Sequence, residues 1–339
     1  MRLLFLLISI SLKMFAQGQA QYKEHFIEAN RLASNGNYET AFALLAGEAE
    51  RDLDCHALGY YWNWCLQFGQ KVDDSTYTFP SKTDQVFGKV FIYQFEVRQM
   101  LDHALATCPK NGLLNKAKGY QLYLEALEAS DLNIEEKKMG GMIAHFKRAL
   151  QGGANDTITN FYLGQGLEYQ SKYGEAIRYY KKAFQLDDGH LQSLLKVAAC
   201  YGKLSEWDSC YAYADFVLPI AASNLTRATA MRLKAEALTA LDLRKPAKKL
   251  FNQAMRLSPD NYDNHLAYID FLYPIKKRRA CKEAVALLQK NIYHRHIYFA
   301  YEFIFDKTDR EEIYNRVEGD LSPNEEALKW LQQKRRVNL

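Results

Sequence analysis

Residues 156–188, DTITNFYLGQGLEYQSKYGEAIRYYKKAFQLDD, carry a pattern that constrains the whole chain. Two amphipathic stretches, each of about fourteen residues, have the apolar spacing of helices. They meet at a polar turn, Gln170-Ser171-Lys172. Small residues fall where two helices must touch: Gly164, Ala176 and, two turns further on, Ala183. Large residues fall between them: Leu163, Leu167, Tyr173 and Tyr180. The pattern returns 34 residues later, with Ala198 for Gly164, Tyr201 for Leu167, Trp207 for Tyr173 and Cys210 for Ala176. It returns again with Ala235, Leu238, Ala247, Phe251 and Ala254. Gly164 to Ala235 is 71 residues, three more than two periods, so a longer connection is expected near 220–225. A unit of this size buries its apolar face only against its neighbours, so it must be stacked. Stacking also accommodates 339 residues, too many for one ordinary core.

The pattern resembles the tetratricopeptide repeat, whose period is about 34 residues. In that resemblance Leu163-Gly164 stand at the family's Leu-Gly pair and Ala176 at the small residue opening the second helix. Tyr180 takes the second-helix aromatic position and Ala183 the last small one. Asn160 stands where the family has tryptophan, and Asp188 where proline is common. The resemblance is clear over 156–290, looser at 21–51 and faint elsewhere. It implies an all-α fold, a right-handed α-solenoid of antiparallel helix pairs forming a superhelix.

The chain divides accordingly. Residues 1–20 read as a secretory signal: a charged Arg2, an apolar run from Leu3 to Leu12, and Met14-Phe15-Ala16 before polar Gln17. Cleavage is expected after Ala16, with Ala20 as second choice. No cysteine follows, so no lipid anchor of the bacterial lipoprotein type is expected. Residues 21–51 form a first repeat with its turn at Asn35-Gly36-Asn37. Residues 52–112 are an irregular helix pair: one helix over 53–69, a long polar loop over 70–83, and a second helix from Asp84 to Thr107, stopped by Pro109. Residues 113–150 are a degenerate pair. Its second helix is expected to start at Asn133, with Glu136 as capping partner, and Gly140-Gly141 inside it suggest close helix approach. Repeats follow at 156–189, 190–219, 223–259 and 262–291, and capping helices at 292–339. The last helix is expected to start at Ser322-Pro323-Asn324-Glu325.

Composition narrows the function. Apolar residues are 48% and charged residues 25%, which suits a packed protein, and only seven prolines interrupt helices. The net charge of +4 falls to +2 once Arg2 and Lys13 leave with the signal, which gives no case for nucleic acid. No later run is long and apolar enough to span a membrane, so the mature chain is expected without a transmembrane segment. An exported protein can pair its six cysteines. Mostly free thiols are expected, with Cys55–Cys65 or Cys65–Cys108 as the pairings to check, and Cys210 acting as a small apolar side chain.

The search for catalytic chemistry finds no phosphate loop, no His-Glu-x-x-His and no Gly-x-Ser-x-Gly elbow. Gly164-Gln165-Gly166 follows no strand. His294 and His296, two apart on a helix, point away from each other and cannot share a metal. The acid pairs Asp73-Asp74, Asp187-Asp188 and Glu311-Glu312 fit helix ends or the loop. No enzyme, cofactor or metal site is expected. The glycosylation-type triplets at Asn155 and Asn224 are read as chance.

What remains is a surface. In the family, first helices line the concave face and present side chains to a peptide. The resemblance carries this role to Phe161, Gln165, Glu168 and Tyr169, then to Leu195, Ala199 and Lys203, then to Arg232, Glu236 and Thr239. A subset of the family grips C-terminal carboxylates; Asn30 fits it, but Phe26 replaces the required lysine, so that subtype is rejected. The expected function is an exported, non-enzymatic protein- or peptide-binding scaffold of a bacterial envelope, periplasmic or secreted. Partner identity and oligomeric state stay open. One alternative is glycan binding through exposed aromatics around Tyr60, Trp64 and Tyr77. Another is a cell-wall enzyme on a helical superhelix, drawing an acid from the 70–83 loop.

Overall fold

The computed structural model describes residues 24–37, 40–41, 43–45, 55–68, 70–71, 77–78, 97–129, 131–320 and 325–337. The expected signal, most of the polar loop and the Ser322 cap lie outside the described residues. The chain divides into two compact units, Met1–Asp187 and Asp188–Leu339.

The first unit contains α1 (24–34), α2 (40–41 and 43–45), α3 (Cys55–Phe68), α4 (Val97–Thr107), α5 (Gly112–Glu128), α6 (Leu132–Gln151), α7 (Thr157–Tyr169) and α8 (Tyr173–Leu186). The helix expected from Asp84 is described only from Val97. Within the polar loop two short strands, β1 (Gln70–Lys71) and β2 (Tyr77–Thr78), pair antiparallel. Helices pack in sequence order, α5 on α6 and α7 on α8. The spacing of small residues explains how. Gly164 of α7 faces the Tyr180 ring of α8, and Ala176 and Ala183 are fully buried. The N-terminal half has its own core around Trp62, Trp64, Leu101 and Leu114.

Two details differ from the sequence expectation. The cap of α6 is Asp131, not Asn133: its carboxylate accepts from the Asn133 and Ile134 N–H groups at 2.7 and 3.4 Å. A carboxylate also complements the positive helix terminus, which a neutral Asn does not. Of the two helical glycines, only Gly141 has a close neighbour, Leu122; Gly140 faces open space.

A disulfide joins Cys55, at the start of α3, to Cys108, just after α4, with their Cα atoms 5.9 Å apart. Neither pairing considered from the sequence is this one. Asn111 reinforces the same corner: its amide donates to the Cys55 carbonyl at 2.8 Å, and its carbonyl oxygen caps α5 at the Leu114 N–H.

The second unit contains α9 (Leu191–Lys203), α10 (Trp207–Val217), α11 (Asn224–Ala240), α12 (Arg244–Leu257), α13 (Tyr262–Leu272), α14 (Lys277–Lys290), α15 (Arg295–Ile304), α16 (Lys307–Asp320) and α17 (Glu325–Val337). Ser223 caps α11 through the Thr226 N–H. Cys200 and Cys210 are free and buried, and Cys281 is free and half-buried. Cys210 fills its small-residue position and points its thiol at the Leu233 carbonyl.

One turn recurs in both units. The N–H of Asn37, Lys172, Glu206 and Leu243 each bonds the carbonyl five residues back, at 2.8–2.9 Å. The preceding residue takes a positive φ: Gly36 (72°), Ser171 (58°), Ser205 (61°) and Asp242 (60°). This Schellman closure satisfies the last carbonyls of the first helix and sends the chain back antiparallel.

Candidate partner-binding cavity

The site forms where three first helices of the second unit, α9, α11 and α13, come together. Small side chains open it: Ala199 and Gly202 on α9 and Ala267 on α13. Second-helix aromatics stand behind, Trp207 from α10 and Phe251 from α12, and Phe271 of α13 joins them. The resulting cavity has a volume of about 560 Å³, within the size range of small-ligand and side-chain pockets.

Polar and charged side chains are set into its mostly apolar walls. Arg232, Glu236 and Thr239 recur at helical spacing and so share one face of α11. Arg232 Nη1 donates to Glu236 Oε1 at 2.6 Å, and the Thr239 hydroxyl is spent on the Ala235 carbonyl. Lys203 enters from α9 and Asp270 from α13. Arg244 stands at the rim, paired with Asp242 at 2.9 Å.

Burial and neighbouring charges both act on the groups of the lining. Burial alone would lower the Arg232 pKa, but Glu236 and Asp263 more than compensate and hold it above its ordinary value. Burial raises the Asp270 pKa, Glu236 raises it further, and Lys203 only partly opposes them. The Arg232 Nε is buried without a hydrogen-bond acceptor.

Of the ten sequence-assigned groove residues, the structure brings Lys203, Arg232, Glu236 and Thr239 together here. Ala199 joins them, whereas Leu195 is core, 2% exposed. The other four lie on α7 in the first unit. Phe161 is a correction: it is 7% exposed and its ring packs 5.5 Å from that of Tyr180, so it holds α7 on α8 and presents little to a partner. Glu168 accepts from the Tyr180 hydroxyl at 2.5 Å, and Gln165 stands by the Tyr123 phenol, whose pKa burial raises and the Gln165 amide partly restores. Tyr169 is exposed.

Sequence reasoning missed Trp207, Phe271 and Asp270 as cavity residues. Asp270 was findable, since it stands 34 residues after Glu236. In the first unit it missed a tyrosine cluster in which Tyr162 of α7 lies 5.1 and 4.8 Å from Tyr120 and Tyr123 of α5.

Among the described residues, no group of three His, Cys, Asp or Glu side chains could hold a metal. No described helix is long and apolar enough to cross a membrane. His294 stands at the cap of α15 with its ring 4.2 Å from that of Tyr262.

No family model matches the chain, and no curated protein matches it. Among solved structures it is similar to the APC/C hetero-tetramer Cut9–Hcn1, at 13% identity and a TM-score of 0.51, over 83% of this chain and 49% of that one. It is similar to PilF of Pseudomonas aeruginosa, at 17% identity and 0.49, over 73% and 96%. YrrB, described as a TPR protein with an unusual peptide-binding site, gives 13% and 0.47, over 65% and 95%. Identities this low speak to fold alone. The 34-residue spacing, the antiparallel helix pairs and the recurring left-handed turn agree with that likeness: the chain has the tetratricopeptide-repeat fold, an α-solenoid of helix pairs.

Proposed function

We propose that this protein is a non-enzymatic interaction scaffold that binds a segment of a partner protein in the α9–α11–α13 cavity. One observation carries the reading. Three successive first helices combine small residues, an aromatic backing and charged walls into one cavity, which suits a side-chain anchor and its flanking backbone. Export to a bacterial envelope is part of the proposal. The apolar N-terminal run supports it, as does the Cys55–Cys108 bridge, a bond characteristic of oxidising compartments. Glycan stacking finds less support, because Trp64 is fully buried and Tyr60 packs 5.0 Å from Phe26.

The test fills the cavity. Ala199→Phe places a ring in it while leaving the outer surface unchanged. Partners captured from envelope extract by the parent chain and lost by this variant, at equal helicity, support the proposal. Equal capture by both moves the interface elsewhere, with the α5–α7 tyrosines next.

A further inference from the structure

The second unit carries its charge unevenly. Helix α12 holds five basic residues and no acid, and α14 holds five basic residues and one acid, Glu283. Neither has an acid in its first turn, where α8 has Glu175 and α10 has Asp208. Cations at a helix N-terminus oppose the macrodipole, so helix stability does not account for them. Arg244, Lys277 and Arg279 are committed to Asp242, Asp309 and Glu283. Lys245, Lys248 and Lys249 of α12, and Lys276, Arg278 and Lys282 at the start of α14, make no ion pair with any described residue.

Exposed apolar side chains stand among these cations. Leu241 and Leu243 flank Asp242 in the α11–α12 turn, and Ile275 precedes Lys276 in the α13–α14 turn; they are 42%, 50% and 39% exposed. The two turns adjoin, because Ala240 and Arg244 of one and Pro274 of the other line the same cavity. The Tyr273 hydroxyl donates to Asp306 at 3.0 Å, which ties the α13–α14 turn to the α15–α16 turn. There Phe303, in the last turn of α15, is 76% exposed. The excess of positive charge belongs to the α11–α12 and α13–α14 turns; at the α9–α10 turn Glu206 and Asp208 offset Lys203.

We propose that this edge of the second unit docks peripherally on an anionic phospholipid surface. Lys245, Lys276 and Arg278 meet headgroup phosphates, and Leu243 and Ile275 reach past them into the interface. Charge complementarity selects the lipid, and the apolar tips separate it from other anions. An acidic protein segment would match the cations and leave the tips in water. The docking goes beyond the peptide reading and does not depend on it.

Sedimentation with vesicles tests this, using the full mature chain at about 0.1 M salt. The vesicles are phosphatidylcholine alone, or phosphatidylcholine with one third phosphatidylglycerol. The parent chain should bind only the second kind, and less as salt rises; these two readings need no variant. Combining Lys245→Gln, Lys276→Gln and Arg278→Gln should lower the partition coefficient about 100-fold, or roughly fivefold per cation. Lys147→Gln, Lys172→Gln and Arg178→Gln remove the same charge from exposed sites of the first unit and should change it by about threefold or less. Leu243→Ser with Ile275→Ser leaves the charge alone and should lower it about tenfold. Absence of binding to the anionic vesicles, or equal binding to both kinds, overturns the proposal. Equal losses in the two charge variants overturn it too, because net charge would then suffice. Binding that ignores the Leu243 and Ile275 substitutions overturns it in favour of an acidic protein partner.

Discussion

The ring of Tyr180 lies so close to Gly164 that a Cβ on Gly164 would stand 2.7 Å from the Tyr180 Cε1 atom. The two residues are the contact point of α7 and α8, and Tyr180 is fully buried. Its hydroxyl then reaches Glu168 on the same α7, so the ring cannot retreat without losing that bond. Gly164→Ala should therefore destabilise the protein by about 1–3 kcal/mol through overpacking, despite alanine's better helix propensity. Urea unfolding compares the variant with parent. A neutral or stabilising result would mean that the helices separate freely at this seam.

The recurring turn gives a second prediction. Gly36 holds φ = 72°, where a side chain costs about 1 kcal/mol or more. Gly36→Ala should cost that much. Ser171→Gly should be within about 0.5 kcal/mol of neutral, because relief of strain is offset by a more flexible unfolded chain. Thermal melts of the two variants should separate clearly. Equal melts would show that the turn does not govern the first repeat.

How much of this was legible follows from range. The Gly164–Tyr180 seam, the turn at Gly36 and the burial of Cys210 depend on spacing inside one period, and the sequence displays spacing. The Asp131 cap was missed by two residues because Asp and Asn both serve at a helix start, and only geometry chooses. Phe161 was assigned to a groove because a first-helix aromatic can face either way; its contact with Tyr180 decides. The Cys55–Cys108 bridge joins residues 53 apart across an irregular segment where no period guides pairing. Half of the assigned groove residues line one cavity because α9 and α11 keep the repeat's pattern of small and large residues, despite three extra residues between them. Asp270 stands one period after Glu236, but a stretched turn at Tyr273-Pro274 hid that helix's alignment.

The bridge closes a 53-residue loop, which in the chain-entropy account stabilises by at most about 4 kcal/mol. Reduction with dithiothreitol, or the double variant Cys55→Ser with Cys108→Ser, should lower the melting temperature of the first unit. Proteolysis of the reduced protein should begin within residues 52–112. Peptide mapping under non-reducing conditions checks the pairing; a Cys65-containing bridge would refute it.

Cys210 should behave as a buried apolar group. Burial, aided by Glu236, pushes its thiol up to about 12, so almost no thiolate exists near neutral pH. It should stay unreactive to a thiol reagent in the native state and react promptly in denaturant. Cys210→Ala should cost about 1 kcal/mol and Cys210→Ser more, since a hydroxyl is desolvated there. Native reactivity on a par with a free cysteine would show that the α10–α11 seam opens.

His145 makes stability depend on pH. Its ring is half-buried on α6, and its Nδ1 lies 2.9 Å from Asn115 Oδ1. The Asn115 amide already donates to the Pro109 and Asn111 carbonyls, so its oxygen accepts and His145 Nδ1 must carry the proton. Burial lowers the His145 pKa from 6.5 to about 4, helped by Arg148 and Lys118; Asp102, itself paired with Lys118, opposes only partly. The folded state therefore resists a proton that the unfolded chain accepts. Stability is unaffected by this group above pH 6.5, falls as pH drops below that value, and levels off below about 4. Because the ring keeps some solvent contact, the full linkage is discounted to about 1–2 kcal/mol. His145→Gln keeps a donor for Asn115 and cannot titrate, so its stability should decline less steeply between pH 6.5 and 4 than that of the parent. Denaturant midpoints measured across this range give the comparison. Parallel profiles for parent and variant would show that His145 takes up its proton as readily folded as unfolded.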